Sequence, residues 1–301
     1  MTTHRYHCHW RTVLRAWTLI AGALAGAVLA SSCGAPPGPM AEAAEQAVAA
    51  GPGRNSGEYR PPGAVQAHEL GGALLAVLQG DDDVPLPDGV VLQEGVDGNG
   101  RPVSVVAEDR GRTVRGWGVY AARQGAGAPA GLVIEVPHPR ADRSTEDLGT
   151  VVFAALRADA LLVAGAHRRA GNGAGDVARD PASAFSAVDR AVVGPDSVVV
   201  QLHGFDESTP SGSPDVVLSS GEADPGPVAP RLAEALEDAG FEVCLYDGDR
   251  CWELAGTRNV QGAHARSVGA TFLHIELSRA LRQEGAARTR LVDALTQVLA
   301  R

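Results

Sequence analysis

Leu132-Val133-Ile134-Glu135-Val136-Pro137-His138-Pro139 reads as a short strand that stops at a proline and presents a histidine at its end. Its nearly unbroken aliphatic run suits a strand covered on both faces, as in a parallel sheet. The unit recurs. Ala160 to Ala166 runs into His167-Arg168-Arg169, and Val198-Val199-Val200-Gln201-Leu202 runs into His203-Gly204-Phe205. Further strands are predicted over Asp215 to Ser219, Phe241 to Tyr246 and Thr271 to Leu277. Helical spacing fills the intervals: Thr145 to Ala158 with Ser144 as its N-cap, Ser183 to Val193, Ala229 to Ala239 stopped by Gly240, and Ala286 to Leu299. Strands alternating with helices predict an α/β domain over residues 131–301, with a mostly parallel sheet and helices on both faces.

Upstream the pattern changes. Leu70, Ala73, Leu74, Val77 and Leu78 recur at helical spacing within residues 67–80. Val90-Val91-Leu92 and Val103-Ser104-Val105-Val106 flank Asp97-Gly98-Asn99-Gly100, whose Asp-Gly and Asn-Gly steps signal a hairpin turn. The turn resembles a calcium loop only in part, because the later glutamate is missing. A strand near Gly116 to Ala122 follows. Residues 67–130 therefore read as a small β-rich lead-in. Residues 34–66, rich in Ala, Gly and Pro, read as a flexible tether.

Residues 1–33 read as a secretory signal. Arg5, Arg11 and Arg15 precede an apolar run from Ala16 to Ala30, and the first acidic residue is Glu42. The run is short for a bilayer span, which needs ~20 apolar residues. It ends in Leu29-Ala30-Ser31-Ser32-Cys33, which resembles the lipobox of bacterial lipoproteins, although that family prefers a larger aliphatic residue at the place of Ala30. The expectation is export to the cell envelope with a lipid on Cys33. Cys244 and Cys251 then form the remaining cysteine pair. In an oxidising compartment they predict a short-range disulfide, with a soft metal site as the alternative.

Composition narrows the function classes. The 301 residues include no lysine, which removes lysine Schiff bases and Walker-type phosphate lysines. A net charge of -10 argues against nucleic acid as a partner, since phosphate binding needs a basic face. No Gly-x-Ser-x-Gly elbow occurs.

In sheets of this kind ligands bind outside the carboxyl ends of the strands. Three such ends each carry one of the chain's nine histidines. Two imidazoles and a carboxylate make a catalytic zinc set with one position left for water. The candidates are His138 and His203, with Glu146 at the helix start as the preferred acid and Asp142 in the preceding turn as its rival. Glu276 is the candidate general base. In Phe272-Leu273-His274-Ile275-Glu276-Leu277 the alternation sets Phe272, His274 and Glu276 on one face, and a strand carboxylate is costly unless paired or used.

Glu135-Val136-Pro137-His138, Glu146, Gln201-Leu202-His203-Gly204-Phe205 and His274-Ile275-Glu276, in that order, resemble the zinc carboxypeptidase-like superfamily. That superfamily includes N-formylglutamate amidohydrolases and phage poly-γ-glutamate hydrolases. The resemblance covers roughly residues 130–300. It implies one zinc ion held by His138, Glu146 and His203, with Glu276 as base. It also implies Arg258 as a clamp for a substrate carboxylate and Arg168 as an aid to the oxyanion. One departure is plain: the metallopeptidases use His-x-x-Glu, whereas seven residues separate His138 from Glu146. His167 reads equally as a group orienting a ligand or as a surface residue, His274 as a packing residue beside Glu276, and Gly171 to Gly175 as a mobile active-site loop.

Together these readings predict an exported zinc-dependent hydrolase of amide bonds, acting on an N-acyl amino acid, a peptide or a peptidoglycan-type substrate that bears a carboxylate. The alternative is a lipid-anchored binding protein with the same fold and no turnover.

Overall fold

The computed structural model describes residues 39–81, 83–112, 114–205 and 214–300. The signal and Cys33 lie outside them.

One nine-stranded sheet organises these residues, in the order β1-β2-β3-β5-β4-β6-β9-β7-β8. Its strands are β1 (Val90–Val96), β2 (Pro102–Glu108), β3 (Val119–Ala122), β4 (Leu132–Val136), β5 (Ala160–Val163), β6 (Val198–Gly204), β7 (Val216–Ser219), β8 (Val243–Leu245) and β9 (Thr271–Leu277). The helices are α1 (Pro39–Ala50), α2 (Ala64–Gln79), α3 (Thr145–Leu156), α4 (Ala184–Val192), α5 (Val228–Asp238), α6 (Val260–Val268), α7 (Arg279–Arg282) and α8 (Ala286–Leu299). No described helix is long and apolar enough to cross a membrane.

The sheet is mixed. Its centre is parallel, with β4 between β5 and β6 and with β9 beside β6. The expected lead-in is the antiparallel margin of this same sheet: β1 and β2 form the predicted hairpin, β2 pairs β3, and β3 pairs β5. At the other side β7 runs antiparallel to β9 and parallel to β8.

Period-two alternation divides the central strands between two cores. Leu132, Ile134, Val136, Leu161, Val163, Val200, Leu202, Leu273 and Ile275 face one layer, packed under α1, α3, α5 and α8. Val133, Ala160, Leu162, Val199 and Phe272 face the other, under α2, α4 and α6. The chain leaves β4 through α3 on the first face to reach β5, then returns through α4 on the second face to reach β6 on the other side of β4. That reversal is a topological switch point, and it opens a crevice at the carboxyl ends of β4 and β6.

The tether expected over residues 34–66 is not what the described part of it forms. Met40, Ala44 and Val48 recur at four-residue spacing along α1 and are buried in the first core. Tyr59 is buried in the second. Alanine is the best helix former, and short side chains conceal an apolar stripe that bulkier residues would reveal. Ser144 does precede α3, but in the left-handed region and without a side-chain cap. Ser183, expected as the first residue of the helix, is instead the N-cap of α4 and accepts from the Ser186 amide.

The hairpin turn is tied into the body of the fold by Asp97. Its Oδ1 accepts from the Asn99 and Arg101 amides at 2.8 and 2.9 Å, and its Oδ2 accepts from Arg123 at 2.7 Å. Asn99 in turn donates to the Ala154 carbonyl at the end of α3. Burial alone would raise the Asp97 carboxyl, but these donors hold it below the usual range. Its contribution to stability is therefore complete above the unfolded carboxyl pKa of ~3.9 and is lost as pH falls through the lower folded value. Asp97→Ala should cost about 2–4 kcal/mol at neutral pH, read as a lower urea midpoint, and the difference from wild type should shrink in acid.

Candidate metal centre

His138 follows β4 directly, and the chain then folds back on itself. The amides of Ala141 and Asp142 both donate to the His138 carbonyl at 2.8 Å. This single turn returns the Asp142 carboxylate beneath the imidazole, with Oδ2 3.7 Å from His138 Nδ1. His203 arrives from β6, and its Nδ1 stands 3.3 Å from the same Oδ2. One donor atom from each of the three residues lies within 4.8 Å of the others, and all three residues are buried.

Glu146 belongs to no such group among the described residues. It sits in the first turn of α3, where burial and the charges of Asp147 and Glu45 raise its carboxyl. Here the structure corrects the preferred reading. The turn brings residue 142 back to residue 138 and carries residue 146 on toward α1, so the acid beside the histidines is Asp142.

The far nitrogens of both imidazoles are occupied. His138 Nε2 lies 2.8 Å from Asp176 Oδ1, and Asp176 Oδ2 accepts from Arg168 at 3.1 Å. Burial would raise Asp176, but His138 and Arg168 bring it down to about 2, so it is an anion that can only accept. His138 therefore carries its hydrogen on Nε2, and its buried Nδ1 is left without a hydrogen-bond partner. His203 Nε2 lies 2.8 Å from Gln201 Oε1. Burial would likewise raise Asp142, yet its contacts with His138 and His203 hold it far below the ordinary range. Burial lowers His203, with Asp142 pulling it back only in part.

An unpartnered buried nitrogen, a second Nδ1 and a carboxylate oxygen converging on one point suit a tetrahedral zinc site with an open position. Two imidazole nitrogens favour zinc over magnesium or calcium, which prefer all-oxygen sets. Oriented by Asp176 and Gln201, the residues present fit the ion.

Glu276 is the register partner of His203 on β9, and His274 is the partner of Gln201. His203, His274 and Glu276 form a second close group. The His274 ring lies 4.5 Å from that of His203, and burial keeps it neutral, reinforced by the charges of His203 and His138. Burial, then the charge of Asp142, pushes Glu276 up to about 8, while Arg168 and Arg282 pull the other way.

These groups open into a cleft of about 440 Å³, whose walls include Arg168, Arg179, Trp252 and Arg258. Arg179 and Asp176 escaped the sequence reading; both follow the Gly171-Asn172-Gly173-Ala174-Gly175 stretch, whose significance lies in how it places them. Gly171 adopts φ 57°, and a Cβ there would sit 2.6 Å from the Tyr59 carbonyl. The loop thus folds close against residue 59 and delivers Asp176 to His138. His167 joins neither group; burial and surrounding arginines lower it. The Cys244–Cys251 disulfide forms as expected, with Cα atoms 6.5 Å apart, and closes a loop immediately before Trp252.

No family model and no curated protein matches the chain. Several solved structures are similar to it. N-formylglutamate amidohydrolase from Ralstonia eutropha JMP134 is 16% identical with a TM-score of 0.38, covering 57% of this chain and 92% of its own. A bacteriophage poly-gamma-glutamate hydrolase is 10% identical at 0.37, covering 56% and 82%. A putative carboxypeptidase A from Shewanella denitrificans OS-217 is 14% identical at 0.38, covering 80% and 69%. Likeness this distant carries no inference about the site, whose reading stands on its own geometry.

Asp142→Ala should abolish stoichiometric zinc binding, measured by atomic absorption after dialysis, whereas Glu146→Gln should retain it. The reverse pattern would return the ligand role to Glu146.

Proposed function

We propose that this chain is a zinc-dependent hydrolase of amide bonds, with His138, Asp142 and His203 as the metal ligands and Glu276 as the general base. The observation that carries the reading is the convergence of two Nδ1 atoms and Asp142 Oδ2 beside the cleft, with Glu276 in register with His203. Bound at these ligands, zinc supplies Lewis acidity that lowers the pKa of water to ~7 and polarises a carbonyl.

The protein's own groups then divide the remaining work. Glu276, partly exposed at the cleft and poised to exchange a proton near neutral pH, takes the proton from the attacking water and returns it to the leaving amine. Arg168 keeps one nitrogen on Asp176 and also lines the cleft, where its other donors can stabilise an oxyanion. Arg258 and Arg179 stand in the cleft wall with exposed side chains, and either guanidinium can clamp a carboxylate through paired N–H donors. The substrate class is thus a small amide bearing a carboxylate, such as an N-acyl amino acid or a peptide.

Export and lipid attachment at Cys33 complete the proposal. The disulfide supports an oxidising compartment, because such bonds are rare where thiols are kept reduced.

On a substrate found by screening N-acyl amino acids and short peptides, Glu276→Gln should lower kcat at least ~100-fold and leave zinc bound. Full turnover by that variant would refute the base assignment. Arg258→Ala should raise KM for the carboxylate substrate and leave its amide-capped analogue unaffected.

A further inference from the structure

Among the described residues, the large hydrophobic side chains left exposed are Val65, Val151 and Trp252. Val65 and Val151 sit on α2 and α3 and line no part of the cleft. Trp252 stands in the cleft wall with 64% of its surface in water. Scattered exposed aliphatics are ordinary, but an uncovered aromatic in the wall of a cleft is apolar area available to a ligand.

The backbone that carries this indole is tied down on both sides. After β8 the Tyr246 amide donates to the Leu218 carbonyl of β7 at 2.9 Å. Asp247 then accepts from the Asp249 and Arg250 amides at 3.2 and 3.1 Å and from the Arg250 side chain at 2.9 Å, which curls the loop. The Cys244–Cys251 disulfide closes it, and Cys251 adopts φ 59°, a left-handed conformation that a non-glycine residue keeps only where its surroundings impose it. The Leu254 and Ala255 amides bond back to the Cys251 and Trp252 carbonyls at 3.1 and 3.3 Å. Ala255 is buried, and its carbonyl accepts from Ser219 Oγ at 2.8 Å. Gly256 then comes so near β9 that a Cβ there would sit 2.6 Å from His274 Cδ2. The turn is clamped against the site while Trp252, at its start, is left uncovered.

An indole offers a broad flat face, and it gains most from a partner that is flat as well. The surrounding wall leaves such a partner's edges wet, since Glu253, Thr257 and Arg258 line it with exposed polar side chains. Leu254 and Ala178 are the only aliphatic side chains lining the cleft among the described residues. A flexible alkyl chain, which needs an enclosed apolar pocket, is poorly served there. A ring with an apolar face and polar edges is well served. Trp252 and Arg258 belong to one short segment of the same cleft, so a stacked ring and a carboxylate held by Arg258 can belong to one small molecule.

We propose that Trp252 is a specificity-determining residue, a fixed platform on which a flat ring of the substrate stacks, so that the substrate class is an amide bearing both a carboxylate and a ring. That the ligand is a substrate rests on the hydrolase reading; the stacking itself is measurable as binding, without turnover. A ring face of this chemistry comes from an aromatic group or from a pyranose, and experiment separates the two.

Three carboxylates make the test: N-acetylglycine has no ring, N-benzoylglycine an aromatic ring and N-acetylmuramic acid a sugar ring. Calorimetry on the purified protein gives the dissociation constant of each. At least one ring-bearing ligand should bind about 10-fold more tightly than N-acetylglycine, and the ligand that does so identifies the source of the ring. Trp252→Phe keeps a flat face and should keep most of that advantage. Trp252→Leu, apolar but not flat, and Trp252→Ala should reduce it to about twofold or less. The side chain is exposed, so all three variants should melt close to wild type. No advantage for either ring in wild type, or an advantage undiminished in Trp252→Leu, would overturn the platform. Ring-dependent binding lost in Trp252→Leu, by a protein that hydrolyses none of the screened amides, would uphold the platform and remove the hydrolase reading. Hydrolysis whose kcat/KM ratio between ring-bearing and ring-free amides is the same in wild type and Trp252→Leu would uphold the hydrolase and overturn the platform.

Discussion

A strand covered on both faces can carry a polar side chain only if that side chain finds a partner inside the protein, and β4, β6 and β9 are covered on both faces. Apart from Thr271 at the start of β9, their polar residues, Glu135, Gln201, His203, His274 and Glu276, fall on the face that α4 and α6 overlie. Each is thus driven to bond across the sheet or toward the cleft. The candidate centre is where this obligation meets the switch point at the strand ends, with polar groups gathered at the mouth of the cleft and too close together to ignore one another.

Much of the fold was legible because its signals are large. The runs at 132–136 and 160–163 are nearly all aliphatic, those at 198–204 and 271–277 alternate apolar with polar side chains, and the hairpin carries its turn in Asp97-Gly98-Asn99-Gly100. The helix α1 was hidden by its own alanines, whose stripe is too faint to stand out from a small-residue linker. The helix α6 was hidden by polarity, since Gln261 turns inward to an amide network that only the folded sheet creates. That the residues from 67 to 130 extend the main sheet depends on β3 pairing with β5, a non-local choice that no window of sequence contains.

The site divides in the same way. His138, His203 and Glu276 were found because strand ends and alternation are local properties. Asp142 and Glu146 could not be separated from spacing alone, because the answer turns on two amides bonding to one carbonyl. Asp176 offered no pattern at all: it lies 38 positions beyond His138 and reaches it only because a glycine-rich loop folds against Tyr59. Two orientations of an imidazole look alike in a sequence; the Asp176 and Gln201 contacts distinguish them.

The turn from His138 to Asp142 also shapes what it costs to take up an ion. Two of the three donors ride on one hydrogen-bonded loop and move as a single chelating arm, while the third is fixed on a strand deep in the sheet. Capture then immobilises little that is not already immobile, and the entropy ordinarily spent on gathering scattered side chains has been spent in folding. If the proposed ion binds here, the donors that would receive it are already gathered by folding, so the centre would act as a socket and not as a staple.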